Sequence, residues 1–320
     1  MRVKTFLFAS LLSLAGTVSG CSKSAPPPAA PAPAPEAAAA APAPEPTPPV
    51  AAAPPAPVAP PAPVAPPIPP YTPAGDLPDA IKAAVTASDR ADKDRALDAG
   101  RKPAEVLAFF KIAPGQTIGE LFAAGGYTTE LMARVVGESG KVYAQNSKEI
   151  MERARPALTE RAGKPGLSNI VVVEQPLEMP FPPEAKNLDA VICVLNYHDF
   201  VWQKVDRAKL NKAVFAALKP GGVYGIVDSS AAKGSGLRDV ESLHRIDEDA
   251  VKQEITAAGF KLDGESDVLR NPDDPRDWNS SPRAAGDKRG TSDRFTLRFV
   301  KPGKGAKGGG KAARGKAAKG

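Results

Sequence analysis

The chain has 320 residues, 42% of them hydrophobic, with 42 Lys and Arg against 36 Asp and Glu and a net charge of +6. Two cysteines exclude a disulfide framework, and two histidines leave few side chains that titrate near neutrality. The positive excess lies in residues 301–320, which hold seven basic and no acidic side chains, so the rest of the chain is close to neutral and gives no specific indication of nucleic-acid binding.

Taken in order, the chain opens with Arg2 and Lys4 and then an apolar run from Phe6 to Ala15. That is the pattern of an export signal, too short to span a bilayer comfortably. Val18-Ser19-Gly20-Cys21 resembles a bacterial lipoprotein box. The resemblance implies that residues 1–20 are removed, that Cys21 is acylated, and that the chain is anchored in a membrane. Ser22, where an Asp would retain the protein in the inner membrane, points to an outer-membrane lipoprotein facing the periplasm or the cell surface. Residues 21–75 are mostly Pro and Ala and hold more than half of the chain's 36 prolines. They cannot form a packed core and are expected to be a disordered, polyproline-rich spacer. At ~3.1 Å per residue, fifty such residues reach roughly 150 Å.

Residues 76–302 are expected to form the one folded domain. Helical spacing runs over 76–88 and 93–100, and Pro103 opens a helix over 104–110. Pro114-Gly115 breaks it before a first strand at Thr117. A helix over 127–136 follows, then a strand from Lys141 that ends at Asn146. A charged helix over 148–162 precedes strands over 169–174 and 188–195. A helix over 205–218 is stopped by Pro220-Gly221-Gly222 before a fifth strand over 223–227. A helix over 246–258 begins behind Asp247 and stops at Gly259. Two strands, 261–268 and 294–300, close the series, and the long polar loop between them suits antiparallel pairing. Continuous apolar strands alternating with helices predict an α/β fold: a doubly wound, Rossmann-like, seven-stranded sheet, mostly parallel, with an antiparallel last strand. Its ligand crevice should open at the carboxyl ends of the first and fourth strands. Cys193, inside the apolar run 190–195, is expected to be a buried, inert thiol. Residues 303–320 read as a disordered basic tail. That tail is either a non-specific solubilising segment or a contact for an anionic envelope polymer. It lacks the interleaved aromatics that base stacking needs.

The segment 116–146 carries the strongest functional signal. A strand ends on Glu120, the turn Ala123-Ala124-Gly125-Gly126 follows, then a helix, then a strand ending on Asn146. A strand, a tight turn and a helix start place a nucleotide-like ligand on backbone N–H groups. With Glu120 beside the turn, the segment resembles the first motif of class I S-adenosylmethionine-dependent methyltransferases. Over about residues 102–302 five such motifs occur in the family's order. The resemblance is nearest to a group of predicted exported bacterial methyltransferases. It is carried by Phe122, Gly125-Gly126-Tyr127, Asn196-Tyr197-His198-Asp199 and Leu243-His244-Arg245-Ile246-Asp247.

The resemblance implies S-adenosyl-L-methionine as cofactor and an unknown methyl acceptor. It places Glu120 at the methionine ammonium, with Phe122, Gly125, Gly126 and Tyr127 along the turn. It places Asn146 at the ribose and Glu174 and Glu178 near the adenine, with Pro180-Phe181 beside the ring. Asn196, Tyr197 and His198 would face the acceptor. Phe122 and Ala124 stand where the family has glycines, and Asn146 stands where it has an acid. His198 and His244 are candidate proton acceptors, with Asp199 or Asp228 to orient His198. The sequence spacing of His198, Asp199 and His244 is too open to argue for a metal site. The departures leave a second reading: a non-catalytic envelope adaptor on a degenerate methyltransferase scaffold. A third has the cleft serve another ligand through the histidines.

Overall fold

The computed structural model describes residues 71–303. The expected signal and acylation site at Cys21, nearly all of the Pro/Ala-rich stretch and the basic tail lie outside them. Seven strands form one sheet: β1 (Thr117–Glu120), β2 (Lys141–Asn146), β3 (Ile170–Glu174), β4 (Leu188–Val194), β5 (Leu218–Ser229), β6 (Lys261–Ser266) and β7 (Arg294–Val300). Their order is β3-β2-β1-β4-β5-β7-β6. The pairs from β3 to β5 are parallel, and β7 runs antiparallel to both β5 and β6. This is the doubly wound layout expected from the alternation of strands and helices.

The sheet is covered on both faces, which is why its strands read as unbroken apolar runs. Along β4, Ala190 and Ile192 join one core with Ile118, Val142 and Ala144, while Val191 and Cys193 join the other with Tyr143 and Tyr224. The first core is closed by the helices Asp79–Thr86, Pro103–Phe109, Tyr127–Val136 and Lys148–Ala162. The second is closed by Arg207–Ala217 and Glu248–Ala257. Cys193 is fully buried, and burial first of all pushes its thiol well up. Among the described residues no helix is long and apolar enough to cross a membrane.

Some boundaries differ from the sequence pattern. β5 begins at Leu218, not at Val223, because Leu218 already pairs with Leu188; the ladder is then interrupted around the left-handed Gly221 (φ +79°) and resumes at Val223. The predicted helix over 93–100 is two single turns, Asp92–Arg95 and Asp98–Arg101. Two further short helices, Asp199–Trp202 and Val240–Leu243, fall in segments without helical periodicity. Ordered packing also starts before residue 76: Tyr71 donates its hydroxyl to Glu105 and accepts from the backbone N–H of Ala104 at 3.2 Å.

Candidate functional site

The strand order changes direction between β1 and β4, where a crevice must open at the carboxyl ends of the strands. A cleft of roughly 1770 Å³ lies there, reached by Glu120, Gly126, Leu177, His198 and His244. Ligand pockets usually measure about 300–1,000 Å³, so this volume accommodates two molecules side by side.

One end of the cleft is built by the turn after β1. Phe122 and Ala124, the two residues in place of glycines, both take the left-handed conformation, with φ of +53° and +47°. Each costs ~1–2 kcal/mol there for an L-residue with a Cβ. The turn keeps the path of a glycine loop because the end of β2 holds it. Gln145 accepts from the N–H of Phe122 at 3.0 Å through its side chain and from that of Ala123 at 2.8 Å through its carbonyl. Asn146 accepts from the N–H of Ala124 at 2.8 Å and donates to its carbonyl at 3.3 Å. Gly126 is left-handed too (φ +84°), and a Cβ on it would lie 2.8 Å from Leu158. Arg161 closes the turn from below, donating to the Gly125 carbonyl at 2.7 Å while paired with Glu130 and with Asp94.

Glu120 ends β1 and is 4% exposed. Its carboxyl accepts from the hydroxyls of Thr129 and Thr128, and among the described residues it has no ion pair. Burial pushes its pKa up to about 8, against the opposing pull of those hydroxyls and of Arg161 and Arg101. Two cations are equally unsatisfied. Neither Arg101 nor Arg294 forms an ion pair among the described residues, and both line the cleft. Arg101 stacks on the Tyr127 ring at 4.4 Å, and burial holds its pKa below the ordinary arginine value. Arg294 donates to the Gly100 carbonyl at 2.6 Å, and burial followed by the neighbouring Arg101 lowers it to about 10. Sequence reasoning missed both arginines, since one precedes the motif series and the other opens β7.

The other end is built from the carboxyl ends of β4 and β5. Asp228 is fully buried. It accepts from the backbone N–H of His198 at 2.8 Å and meets His198 Nδ1 at 2.7 Å. Of the two acids proposed to orient His198, this is the one that does so. Asp199 Oδ1 lies 3.3 Å from His198 Nε2 and 3.7 Å from His244 Nδ1, and the Trp202 indole donates to it at 2.8 Å. The two imidazoles meet edge to face, with centroids 5.4 Å apart. Burial works against the charged form of His198, but Asp228 outweighs it and the pKa is raised. His244 is lowered, by burial first and by His198 second. His244 reaches the cleft from a left-handed residue (φ +49°) that ends the helix Val240–Leu243. The next residue, Arg245, is fully buried and paired with Asp274 at 2.7 Å, which anchors the long loop before β7. Asp247 caps the following helix and accepts from the N–H groups of Gly234 and Gly236.

Several expected positions are corrected. Asn146 is fully buried, with both amide atoms spent on Ala124, so it shapes the turn and does not meet the cleft. Glu174 is on the surface, paired with Arg155 and away from the cleft wall. Glu178 does line the cleft, though its carboxylate accepts from the Asp206 N–H at 3.2 Å. Phe181 packs under Gly119, so close that a Cβ there would lie 2.3 Å from its ring. Tyr197 is buried in the second core and does not line the cleft, donating to Glu254 at 2.9 Å and accepting from Asn211 at 2.8 Å. Tyr127 borders the cleft, but its hydroxyl is donated to Asp98 at 2.6 Å. Phe122, Gly125, Gly126 and Asn196 line the cleft as expected, and Asn196 donates to the Phe122 carbonyl at 3.2 Å. Glu149, in the first helical turn after β2, also lines it and was not anticipated.

No protein-family model matches the chain. Over 81 residues it is 38% identical to the protein-L-isoaspartate O-methyltransferase of Methanococcoides burtonii. That stretch is 25% of this chain, and the match spans 38% of that protein's length. Among solved structures it is similar to an S-adenosylmethionine-dependent methyltransferase from Aquifex aeolicus. There the TM-score is 0.44 at 19% identity, over 62% of this chain and 88% of that one. It is also similar to Aeropyrum pernix fibrillarin in complex with S-adenosyl-L-methionine, at 0.41 and 16%, over 64% and 76%. The putative methyltransferase in complex with the Haloferax volcanii Trm112 activator scores 0.46 at 14% identity, over 70% and 98%. The strand order, with β7 reversed between β5 and β6, makes this a doubly wound, mostly parallel seven-stranded α/β sheet.

Proposed function

We propose that this protein is an S-adenosyl-L-methionine-dependent methyltransferase. The observation that carries the reading is the charge pattern at one end of the cleft. A buried carboxyl, Glu120, a buried guanidinium, Arg294, and a half-buried one, Arg101, line it, and none is in an ion pair among the described residues. Unpaired buried charge is costly. An amino-acid zwitterion would relieve all three: its ammonium on Glu120, its carboxylate on Arg101 and Arg294. The methionine part of the cofactor is such a zwitterion. The nucleoside part would run along Ile150 and Leu177, with Glu149 within the same wall to take the ribose hydroxyls that Asn146 does not reach. The short match to an O-methyltransferase of a different length supports the same chemistry.

In the reaction the acceptor's lone pair attacks the methyl carbon in line with sulfur. The carbon–sulfur bond breaks with its electron pair going to sulfur, and the acceptor gives up its proton. The positive charge on sulfur disappears in the transition state, so positioning contributes more than strong acid catalysis. His198, Asp199 and His244 would hold the acceptor. Envelope anchoring through an acylated Cys21 belongs to the same proposal, supported by the sequence Val18-Ser19-Gly20-Cys21 and by the long Pro/Ala spacer. So does contact of the basic tail with an anionic envelope polymer.

Calorimetric titration of the chain with S-adenosylmethionine and with its demethylated product tests the enzyme. Micromolar binding that weakens strongly in Glu120→Gln is expected. Absence of heat at millimolar cofactor removes the reading and favours the adaptor. Labelled palmitate incorporation that is lost in Cys21→Ser tests the anchor separately.

A further inference from the structure

The fold closes a gap of 45 residues to bring His198, Asp199 and His244 together, with one ligand atom from each all lying within 4.8 Å of one another. Their spacing is informative. His198 Nε2 is 3.3 Å and His244 Nδ1 3.7 Å from Asp199 Oδ1. Charge-assisted N–H···O bonds run ~2.7–2.9 Å, so both separations are long for direct pairing. A tetrahedron with metal bonds of ~2.0–2.1 Å has edges of ~3.3–3.4 Å; the His198–Asp199 separation of 3.3 Å matches such an edge, while the 3.7 Å to His244, within a group spanning up to 4.8 Å, requires the partly exposed His244 ring to move inward to close on an ion. A second feature is independent of that spacing. Asp228, fully buried, sits on Nδ1 of His198 at 2.7 Å and leaves Nε2 as the free nitrogen facing the cluster. A carboxylate behind an imidazole in this way fixes the tautomer and orients the ring of a metal-bound histidine. The Trp202 indole donates at 2.8 Å to the same Asp199 Oδ1 that faces both histidines and so fixes that carboxylate, and Ser280 clamps the His244 backbone by donating to its carbonyl at 2.6 Å.

We propose that His198 Nε2, the Asp199 carboxylate and a ring nitrogen of His244 bind one divalent first-row transition ion, of which zinc is the representative. Two imidazoles and one carboxylate suit such an ion, whereas magnesium and calcium take oxygen ligands. Three protein ligands on the cleft wall leave coordination positions open to the cleft. This arrangement marks a reactive rather than a purely structural site. Resting on the methyltransferase reading, the open position is where an oxygen nucleophile of the acceptor would bind and, made more acidic by the ion, pass its proton to solvent before attack. Metal binding itself does not depend on that reading.

The test uses the full chain without a histidine tag, carrying Cys21→Ser, stripped of metal and titrated with Co²⁺ and then Zn²⁺. The chain has only two histidines, and its other thiol, Cys193, is fully buried, so a stoichiometric signal reports this cluster. One equivalent of Co²⁺ with visible absorption, displaced by Zn²⁺, is expected. His244→Gln should weaken binding by more than roughly 10-fold, and Asp228→Asn by roughly 10–100-fold. His244 is partly exposed, so its variant is expected to fold even if Asp228→Asn does not. Absence of absorption and of heat from the folded chain at equimolar metal overturns the proposal, and so does binding that is unchanged in His244→Gln. Cofactor titration of the same samples separates the two ideas. Cofactor binding without metal binding sinks only the metal site, and the reverse sinks only the methyltransferase.

Discussion

The two ends of the cleft are made on opposite plans. Left-handed non-glycine residues occur at both, Phe122 and Ala124 at one and His244 at the other, but at the cofactor end the charges are unsatisfied: Glu120, Arg101 and Arg294 lack counter-ions among the described residues. At the histidine end, the buried Asp228 is already paired with His198, and Asp274 with Arg245. The first end is an incomplete electrostatic structure that a zwitterionic ligand would complete. The second is rigid before anything binds. The difference predicts that perturbing the histidine end lowers stability, whereas perturbing the cofactor end changes binding.

The largest effect belongs to the rigid end. Asp274→Asn leaves the fully buried Arg245 guanidinium without its counter-charge, and should cost about 3–5 kcal/mol in chemical denaturation. A loss under 1 kcal/mol would show that the loop before β7 is not what steadies His244. At the other end, Glu120→Gln should weaken cofactor binding by roughly 10–100-fold, the strength of a hydrogen bond to a charged group. The same variant sharpens the contrast through pH. Folded Glu120, at about 8, lies above its ordinary 4.5, so folding takes up a proton between those values. Its burial is harmless to stability below about 4.5 and becomes costly as pH rises through 8. Stability should therefore fall over this window in the native chain and fall less in Glu120→Gln. Cofactor binding at pH 7 should release a proton, measurable as a buffer-dependent heat.

Smaller effects follow from the turn. Asn146→Ala removes both bonds to Ala124 and should cost about 1–2 kcal/mol, with weaker cofactor binding although the side chain does not line the cleft. Unchanged affinity would mean that the turn keeps its shape without the latch. Ala124→Gly should raise the melting stability by no more than about 1 kcal/mol, since relief of the left-handed strain is offset by the freer unfolded chain.

The strands and the helices at 127–136 and 148–162 were legible because they rest on periodicity and on turn residues, and their alternation gave the doubly wound layout, though not the order of the strands. The cleft was legible only in part. Strand ends told which residues come near it, but facing decides which enter it. Asn196 and His198 line the cleft while Tyr197, between them, points into the core, because the chain turns there into the helix Asp199–Trp202 and no strand alternation applies. Asn146 was placed correctly at the end of β2, yet its amide turned toward the backbone of Ala124, because a turn without glycines needs holding. Arg101 and Arg294 carried no local pattern. Their role comes from burial beside one another, which only the tertiary structure supplies. The convergence of His198 with His244 likewise depends on a connection that sequence distance obscures.

The chain before the first motif is part of the ligand wall. Asp94 is paired with Arg161, Asp98 with Arg90 and Tyr127, and the Gly100 carbonyl with Arg294. A shortened protein starting at Pro103 would keep all five recognisable motifs and the whole sheet, yet lack Arg101 and the segment that shelters Glu120. The unit of inheritance visible in the sequence is thus smaller than the unit able to retain a ligand. The missing portion is contributed by residues 71–102, ahead of the first motif.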